Sequence, residues 1–360
     1  MERAHTWPEV LSALIAGEDL DPASAAWAMG RIMTGEATPS QVAGFVVALQ
    51  SKGVSVSELV GVADEMLAHA RRIEVPNPSL DIVGTGGDRQ NTVNISTMSA
   101  IVAAAAGITV VKHGNRAASS SSGTADCLEQ LGVMLSLGPR GIVEVAHEVG
   151  ITFCFAQDFH PSMRHAAESR RELGIPTVFN LLGPLTNPAQ PTYAAVGVAF
   201  EHAAPLVAGV FADRGRQAAV FRGRDGLDEL TVTTESDVWW VGGGHVEKLV
   251  AAPEAVGLSR HPLDSLRGGD AVHNAGVARR LLDGDTAGTM TAVRDAVLLN
   301  AGIALALTHG SARVQDQDTF VAALGDGVDR ARTAIESGAA AGLLDRWRLA
   351  TTARAASGRR

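Results

Sequence analysis

The sequence predicts an α/β fold in which a small all-helical N-terminal domain precedes a large α/β domain with a mostly parallel central sheet. The chain has 360 residues, which is more than one uninterrupted core usually holds. Helix-start motifs repeat between residues 6 and 58, with no strand-like run between them. After residue 80, short apolar runs alternate with helix-like stretches, as in parallel sheets covered by helices.

Composition narrows the class of protein. Hydrophobic residues make up 46% and charged residues 19%, which is typical of a globular chain. The net charge of −9 opposes binding to a nucleic-acid backbone, and two cysteines suit a reducing compartment. The N-terminal sequence lacks signal-peptide features, and the apolar runs at 98–111 and 193–212 are too short or interrupted to span a membrane. We therefore expect a cytoplasmic protein that binds neither nucleic acid nor a membrane.

The first helices are predicted from their start signals. Three motifs have the form of a capping box: Thr6-x-x-Glu9, Thr38-x-x-Gln41 and Ser55-x-x-Glu58. Asp21-Pro22 adds a fourth start, with an N-cap residue followed by proline. The Pro-containing segment 75–78 is typical of a linker. These signals predict a small domain over residues 1–75 and a large domain over residues 76–360.

Five apolar runs are candidates for the strands of the sheet. They are Leu80–Val83, Ile108–Val111, Ile151–Phe155, Ala194–Val198 and Ala218–Phe221. A hairpin is predicted over Thr231–Val250, and the chain beyond Gly268 is largely helical. Ligands of such sheets bind beyond the carboxyl ends of the strands, so function is expected in the loops that follow these runs.

A glycine-rich loop, Gly84-Thr-Gly-Gly-Asp88, follows the first strand. Its glycines let the backbone approach a ligand and point N–H groups at an anion, although many such loops are only tight turns. Asn94-Ile-Ser-Thr97 then opens a helix, whose N-terminus is suited to an anion. In the simpler interpretation Ser96 or Thr97 only caps that helix, and the two roles are compatible.

A second polar loop, Lys112–Thr124, follows the second strand and contains fixed cations, two glycines and a run of serines. Cations and hydroxyl donors together predict a phosphate-binding loop. A flexible linker is rejected, because a linker would not lie between a buried strand and a helix within a compact sheet.

Two further segments carry charge suited to ligands. Asp225-Gly-Leu-Asp228-Glu229 follows the fifth strand and suits Mg²⁺, although a solvated acidic turn is the commoner meaning of such a pair. A helix runs from Pro161 to Gly174, with Arg170 on its small apolar face. An arginine there requires an anion, which either a structural carboxylate or an acidic substrate would supply.

Together these segments resemble the anthranilate phosphoribosyltransferase family of tryptophan biosynthesis. The matching motifs are GTGGD (84–88), NIST (94–97), KHGNRAASSSSGTAD (112–126), HPSMRHA with Arg170, FNLLGPLTNP (179–188) and DGLDE (225–229). They stand in the family's order across essentially the whole chain. The resemblance implies a homodimer of the nucleoside phosphorylase/phosphoribosyltransferase fold type that uses Mg²⁺ and phosphoribosyl pyrophosphate (PRPP). It also implies that helices from about residues 160–185 complete the small domain.

The resemblance also assigns site residues. PRPP would be bound by Gly84, Gly87, Asp88, Thr92, Asn94, Ile95, Ser96, Thr97, Lys112, His113, Gly114, Asn115, Arg116, Ala117, Ala118, Ser119, Ser120 and Thr124. Anthranilate would be bound by Gly84, Asn115 and Arg170, with Gly183-Pro184 and His113 along its approach. Mg²⁺ would be held by Ser96, Asp228 and Glu229. No acid–base residue is assigned, because charge stabilisation by Lys112 and the Mg²⁺-bound groups suffices for this chemistry.

The implied reaction transfers the phosphoribosyl group of PRPP to the amino group of anthranilate and releases pyrophosphate. A pyrimidine nucleoside phosphorylase of the same fold would share GTGGD but not KHGNR or LLGPLTNP. Two rival functions stay open: a same-fold transferase acting on another aromatic amine acid, and an inactive relative that binds nucleic acid. The inactive relative would require a basic groove or broken metal ligands, whereas Asp228 and Glu229 are present and the net charge is negative.

Overall fold

The structure is a computed structural model that describes residues 5–117, 121–310 and 314–357. Four helices come first. They are α1 (Trp7–Ile15), α2 (Pro22–Met33), α3 (Pro39–Lys52) and α4 (Val56–Ala68). Their apolar residues face one another, so that Met29, Phe45 and Leu59 are fully buried. No strand lies between them within the described residues, as the start signals predict.

The predicted caps are made, with one difference. The boxes at Thr38 and Ser55 close in both directions, and Asp21 accepts a hydrogen bond from the backbone N–H of Ser24. Thr6 caps α1 through the N–H of Glu9, but its hydroxyl donates to the Glu9 carboxylate. The Glu9 side chain therefore binds the cap hydroxyl instead of the cap backbone, and only half of the predicted box forms there.

A seven-stranded sheet forms the centre of the remaining chain. Its strands are β1 (Ser79–Gly84), β2 (Thr109–Gly114), β3 (Ile151–Phe155), β4 (Tyr193–Gly197), β5 (Gln217–Gly223), β6 (Ser236–Gly242) and β7 (His245–Ala251). Their order is β3-β2-β1-β4-β5-β6-β7; the first five are parallel, and β6 and β7 form the predicted hairpin at one edge. The predicted fold class, a helical N-terminal part followed by a mostly parallel α/β part, is confirmed.

Helices cover both faces of this sheet. They are α5 (Ile95–Ala105), α6 (Thr124–Gln130), α7 (Gly138–Val149), α8 (Ala156–Phe159), α9 (Arg164–Leu173), α10 (Ala204–Asp213), α11 (Ala271–Leu282), α12 (Met290–Gly310), α13 (Gln317–Glu336) and α14 (Ala339–Ser357). On one face, α5 and α11 to α14 enclose a large apolar core with the sheet. On the other face, α10 and the N-terminal helices pack against the sheet residues Val83, Val196 and Val220. Parallel strands are therefore buried on both sides, which explains their continuous apolar runs.

Helix α9 returns to the N-terminal helices although it lies nearly a hundred residues further along the chain. It contacts α2 and α3, and the Ser169 hydroxyl donates to the carbonyl of Pro39 over 3.3 Å. A second link joins α4 to α10, where Arg214 pairs with Asp64 at 2.6 Å. The N-terminal helices thus contact the α/β part through α10 and include α9 in their packing.

Helix α12 has a hydropathy that the sequence analysis did not single out. Within the described residues, its segment Met290–His309 is the one helix long and apolar enough to cross a membrane. Of its most apolar eighteen-residue window, 89% is buried inside the protein. A core helix passes the same test, so the apolar composition of α12 reflects its place under the sheet.

Candidate active site

The glycine-rich loop and the loop after β5 meet at the carboxyl ends of β1 and β4. A Cβ atom on Gly84 would lie 2.3 Å from Asp228 Oδ2, and one on Gly197 would lie 1.6 Å from the Asp228 carbonyl oxygen. Glycine is therefore required at both strand ends, because a side chain on Gly84 would displace the Asp228 carboxylate and one on Gly197 the Asp228 backbone. The N–H of Gly86 donates to Asp228 Oδ2 over 2.7 Å, which fixes the carboxylate against the loop.

Three carboxylates gather at this contact. Burial, together with the neighbouring Asp88, raises the pKa of Asp228 to about 7. Burial and the Asp228 charge raise the pKa of Glu229 well above its usual value, and burial raises that of Asp88. Like charges held together in a buried place favour their protonated forms or a cation. The cluster Asp88, Asp228 and Glu229 is therefore electrostatically suited to a divalent ion.

The residue types also fit magnesium. Within the described residues, no group of three or more His, Cys, Asp or Glu side chains has the arrangement of a complete metal cage. Mg²⁺ does not need one, because it usually takes one or two carboxylates and completes its shell with water and substrate phosphates. Asp225, in the same loop, has other partners: its carboxylate accepts from the hydroxyls of Thr231 and Thr233.

Lys112 lies beneath this cluster instead of reaching into the open loop. Its side chain is buried, and its ammonium donates to the Ile82 carbonyl and, over 3.2 Å, to Ser96 Oγ. Burial lowers the pKa of Lys112, while Asp81 and Glu229 oppose that shift. The ammonium therefore offsets the charge of the carboxylates from below and holds the Ser96 hydroxyl.

The start of α5 is held by side chains from distant parts of the chain. Asn94 makes no cap hydrogen bond; its amide donates to the Ser122 carbonyl and accepts from Asn274 Nδ2 over 2.9 Å. Thr92 forms an isolated β-bridge with Arg267. The hydroxyl oxygen of Thr97 is buried without a hydrogen-bond partner. Asn94 thus supplies no side-chain cap to this helix terminus, and the N–H of Ser96 instead donates to the Glu229 carboxylate. The terminus already holds one anionic group, as its N–H groups favour.

The second polar loop is described in part. Ala118, Ser119 and Ser120 lie outside the described residues. Arg116 forms ion pairs with Asp126 and Glu129 at 3.0 and 2.6 Å, and its guanidinium stacks on Phe155. These ion pairs orient the Arg116 side chain toward α6. The guanidinium is therefore already occupied by carboxylates and is not free to bind a phosphate.

The remaining members of this loop lie close to the helix that follows it. Asn115 accepts from the N–H of Ala125 through its carbonyl oxygen. Asp126 accepts from the N–H groups of Ala117 and Gly123. The Cβ of Thr124 lies 3.4 Å from the position that a Cβ on Gly114 would occupy. The loop thus leaves β2 and closes back on the start of α6.

Two neighbouring histidines line the interior beside this loop. Their rings lie 5.2 Å apart; His113 Nδ1 donates to the Gly183 carbonyl and His160 Nε2 to the Thr186 carbonyl. The opposite nitrogens, His113 Nε2 and His160 Nδ1, are buried without a partner and carry lone pairs in these tautomers. Burial lowers the pKa of His113 to about 3 and that of His160 to about 4. Both rings are neutral at physiological pH.

Arg170 has no acidic counterion in the part of the chain that the structure describes. Its guanidinium lies 5.1 Å from the ring centre of Phe179, and burial alone lowers its pKa. No acidic side chain of the described residues forms an ion pair with it. Of the two partners that the sequence left open, the structural carboxylate is therefore ruled out within these residues, and an acidic ligand remains.

Three buried asparagines join distant segments around the site, and two of them lie outside every sequence motif. Asn187 donates to Asp81 and to the Val111 carbonyl, Asn274 binds Asn94, and Asn300 binds the backbone of Leu230. Each is an ordinary polar residue in its own segment, and its partner lies 70 to 180 residues away. Only the GPLTNP motif, which contains Asn187, marked one of these positions.

Comparisons with known proteins agree with this geometry. Two protein-family models match the sequence. Residues 8–70 match a family described as "Glycosyl transferase family, helical bundle domain", and residues 76–341 match one described as "Glycosyl transferase family, a/b domain". The anthranilate phosphoribosyltransferase of a Nocardioides species is 59% identical over 97% of this chain and 99% of its own length.

Solved structures are similar as well. The anthranilate phosphoribosyltransferase of Thermus thermophilus superposes with a TM-score of 0.86 at 42% identity, over 95% of this chain and 99% of that one. The Saccharomyces cerevisiae enzyme, solved in complex with PRPP and Mg, gives a TM-score of 0.85 at 27% identity, over 96% of this chain and 98% of that one.

Proposed function

This chain belongs to the anthranilate phosphoribosyltransferase family, and on that premise we propose that it transfers the phosphoribosyl group of PRPP to the amino group of anthranilate. The product is N-(5-phosphoribosyl)anthranilate, pyrophosphate is released, and the reaction is a step of tryptophan biosynthesis. One observation carries this proposal: three carboxylates with raised pKa values lie at the junction of a glycine-rich loop and the Asp228 loop. Such a junction suits a magnesium diphosphate.

The sugar donor is assigned to the loops around β1, β2 and α5, which we call the donor side. Its pyrophosphate group is assigned to Gly84, Gly87, Asp88, Thr92, Asn94, Ile95, Ser96 and Thr97. The rest of the phosphate-binding loop is assigned to Lys112, His113, Gly114, Asn115, Arg116, Ala117, Ala118, Ser119, Ser120 and Thr124. The N-terminus of α5, which Asn94 does not cap, and the unpartnered Thr97 hydroxyl support this assignment.

Magnesium is assigned to Ser96, Asp228 and Glu229. The like charges of the two carboxylates support it, and the ammonium of Lys112 orients the Ser96 hydroxyl. When bound, the ion would neutralise charge on the pyrophosphate oxygens.

The chemistry needs little from the protein beyond charge and position. The bond between ribose C1 and the pyrophosphate oxygen breaks as the anthranilate nitrogen bonds to C1, and the amine then gives one proton to water, because no protein base is assigned. Positive charge develops on the ribose and negative charge on the leaving group. The α5 N–H groups and Lys112 act on the leaving group, directly or through Ser96. A neutral arylamine is already nucleophilic, so positioning does the remaining work.

The acceptor is assigned to Arg170, Asn115 and Gly84, with His113 and Gly183-Pro184 along its approach; we call Arg170, Phe179 and Gly183 the acceptor side. An arginine that lies beside an aromatic ring and has no acidic partner among the described residues suits an aromatic carboxylate. His113 Nε2 is a buried acceptor that an amine N–H would satisfy. Together these groups would hold the two substituents of anthranilate.

We also propose the organisation of the molecule. The helical domain comprises residues 1–75 with helices from about 160–185, and residues 76–360 form the PRPP-binding domain; the packing of α9 on α2 and α3 supports this division. The protein acts in the cytoplasm as a homodimer. Neither a nucleic acid nor a membrane is a partner. Exposed Ile15 and Val47 on the adjacent helices α1 and α3 support a subunit contact there.

The experiment is an omission assay. Purified protein is mixed with PRPP, Mg²⁺ and anthranilate, and anthranilate fluorescence is followed while each component is left out in turn. Loss of fluorescence only in the complete mixture is expected. If the complete mixture gives no loss while other aminobenzoates are consumed, the acceptor assignment is wrong and the transferase assignment holds.

A further inference from the structure

Asn300 is a buried side chain whose hydrogen bonds all lie within the protein. It is 1% exposed and stands in the middle of α12. Its Oδ1 accepts from the N–H of Leu230 over 2.9 Å, and its Nδ2 donates to the carbonyls of Leu230 and Ala296 over 2.8 and 2.9 Å. One amide thus satisfies both backbone groups of a single loop residue.

Leu230 directly follows the two carboxylates assigned to Mg²⁺. Its N–H belongs to the peptide unit shared with Glu229, and its carbonyl belongs to the unit shared with Thr231. Fixing both groups fixes the planes on either side of Leu230. The same turn is held at its other end, where the N–H of Gly86 donates to Asp228. The Asp228-Glu229 pair is therefore clamped between the glycine-rich loop and α12.

Burying an asparagine side chain at this position costs free energy unless its amide is hydrogen-bonded. Its neighbours Leu298, Leu299 and Ala301 are fully buried, so packing alone would favour an apolar residue. An apolar residue would leave the N–H and the carbonyl of Leu230 buried without partners. The turn would then move to regain hydrogen bonds, and the carboxylates would move with it.

We propose that Asn300 is a positioning residue that holds Asp228 and Glu229 in the orientation needed for the metal ion. The inference rests on the proposed function, because it takes these carboxylates as metal ligands. Groups that orient ligands from behind typically change metal affinity by about ten- to a hundredfold when removed.

The test compares Asn300→Leu with Leu299→Ala. The first removes the hydrogen bonds at similar volume; the second removes core packing from the next residue of α12 and leaves the Leu230 bonds in place. Mn²⁺ binding is measured from the electron paramagnetic resonance signal of the free ion, with PRPP present and anthranilate absent, so that no turnover occurs. We expect about tenfold weaker Mn²⁺ binding for Asn300→Leu and a change below about twofold for Leu299→Ala. Thermal unfolding of both variants separates loss of stability from loss of affinity.

Three results would contradict the proposal in distinguishable ways. Equal Mn²⁺ affinity in wild type and Asn300→Leu rejects the role of Asn300 and leaves the metal site intact. Equal weakening in both variants shows that general loss of packing, not the amide, controls the site. No Mn²⁺ binding by the wild type rejects the proposed metal site itself. If Asn300→Leu does not fold, Asn300→Ser, which is too short to bond both groups of Leu230, is measured with the same expectation.

Discussion

The donor side brings backbone and carboxylates of distant loops into contact, whereas the acceptor side leaves a cation without a protein partner. Asp228 lies so close to Gly84 and Gly197 that no side chain fits between them, and it accepts a hydrogen bond from the N–H of Gly86. Arg170 has an aromatic ring beside it and no acidic group among the described residues. One side is therefore shaped by the fold itself, and the other presents a charge that a ligand would complete.

This difference separates two kinds of recognition. On the donor side, repulsion between carboxylates is built in, and a cation arriving with the substrate would relieve it. On the acceptor side, a single charge-assisted contact to the proposed ligand would provide most of the selectivity for a carboxylate. Changes on the donor side should therefore reduce catalysis as a whole, while changes on the acceptor side should act on one substrate.

The largest effect is expected from the double variant Asp228→Asn, Glu229→Gln. It keeps side-chain volume and an acceptor for the Gly86 N–H but removes two charges. We expect kcat to fall about a hundredfold or more, as when a preorganised electrostatic contact is lost. In Mg²⁺-free buffer at pH 8, Tm should rise, because repulsion between buried carboxylates is gone. Steady-state kinetics and calorimetry measure both effects.

Asp225→Asn is the matched control for that variant. Asp225 lies in the same loop, but its carboxylate accepts from Thr231 and Thr233 and is not among the proposed Mg²⁺ ligands. The Mg²⁺ concentration for half-maximal activity should change by less than about twofold. A double variant with full Mg²⁺ activation would show that the carboxylates of the donor side do not hold the ion.

The next effect is expected from Arg170→Ala. A hydrogen-bonded charge contributes about 1.5–3 kcal/mol, so the KM for anthranilate should rise by about ten- to a hundredfold. The KM for PRPP should change by less than about twofold. Arg171→Ala, which removes the exposed arginine next along α9, should leave both values near wild type. A rise confined to the KM for PRPP would place Arg170 on the donor side and undo the comparison.

A smaller effect is expected from Gly197→Ala. The new Cβ would meet the Asp228 carbonyl oxygen, and overpacking of this kind costs about 1–3 kcal/mol. Unfolding in urea should show this loss, accompanied by weaker Mg²⁺ activation. Gly276→Ala is the control, because its Cβ meets nothing within 4 Å and alanine favours a helix by about 0.5–1 kcal/mol. Unchanged stability in Gly197→Ala would mean that the two loops are not in tight contact.

The smallest effect concerns acid stability. The pKa of His160 is about 4 in the folded protein and about 6.5 when unfolded, so the unfolded chain binds a proton first as pH falls. Stability is complete above pH 6.5 and declines toward pH 4, by about 2 kcal/mol at pH 5. Denaturation curves of wild type and His160→Gln at pH 7.5 and 5 measure the contribution of His160 to the free energy of unfolding. The variant should lose less stability over that interval; an identical loss would show that His160 is not buried and neutral.

The sequence predicted the features that depend on neighbouring residues. Capping residues three positions apart predicted α3 and α4, and apolar runs predicted the five parallel strands. Features set by distant residues were not predictable from such patterns. The direction of Lys112 depends on Ile82 and Ser96, and the ion pairs of Arg116 depend on how its loop closes on α6.

The same limit applies within the candidate site. The motifs marked the loops that carry Asp88 and Asp228 and the end of β2 that carries Lys112, because the ends of parallel strands and the loops after them meet at one edge of the sheet. They could not mark Asn274 or Asn300, whose neighbours in the sequence are those of ordinary core helices. Their function is visible only in the contacts with Asn94 and Leu230.

The position of α12 has a consequence for synthesis of the protein on the ribosome. The Asn300–Leu230 bond, and the bond from Ser99 of α5 to the Val297 carbonyl, cannot form until about three hundred residues have been translated. The glycine-rich loop and its helix, made in the first third of the chain, must wait for this late segment. Contacts of such long sequence separation slow folding. A nascent chain therefore exposes apolar α5 for much of its synthesis, and chains truncated before α12 should bind chaperones and lack a formed metal site.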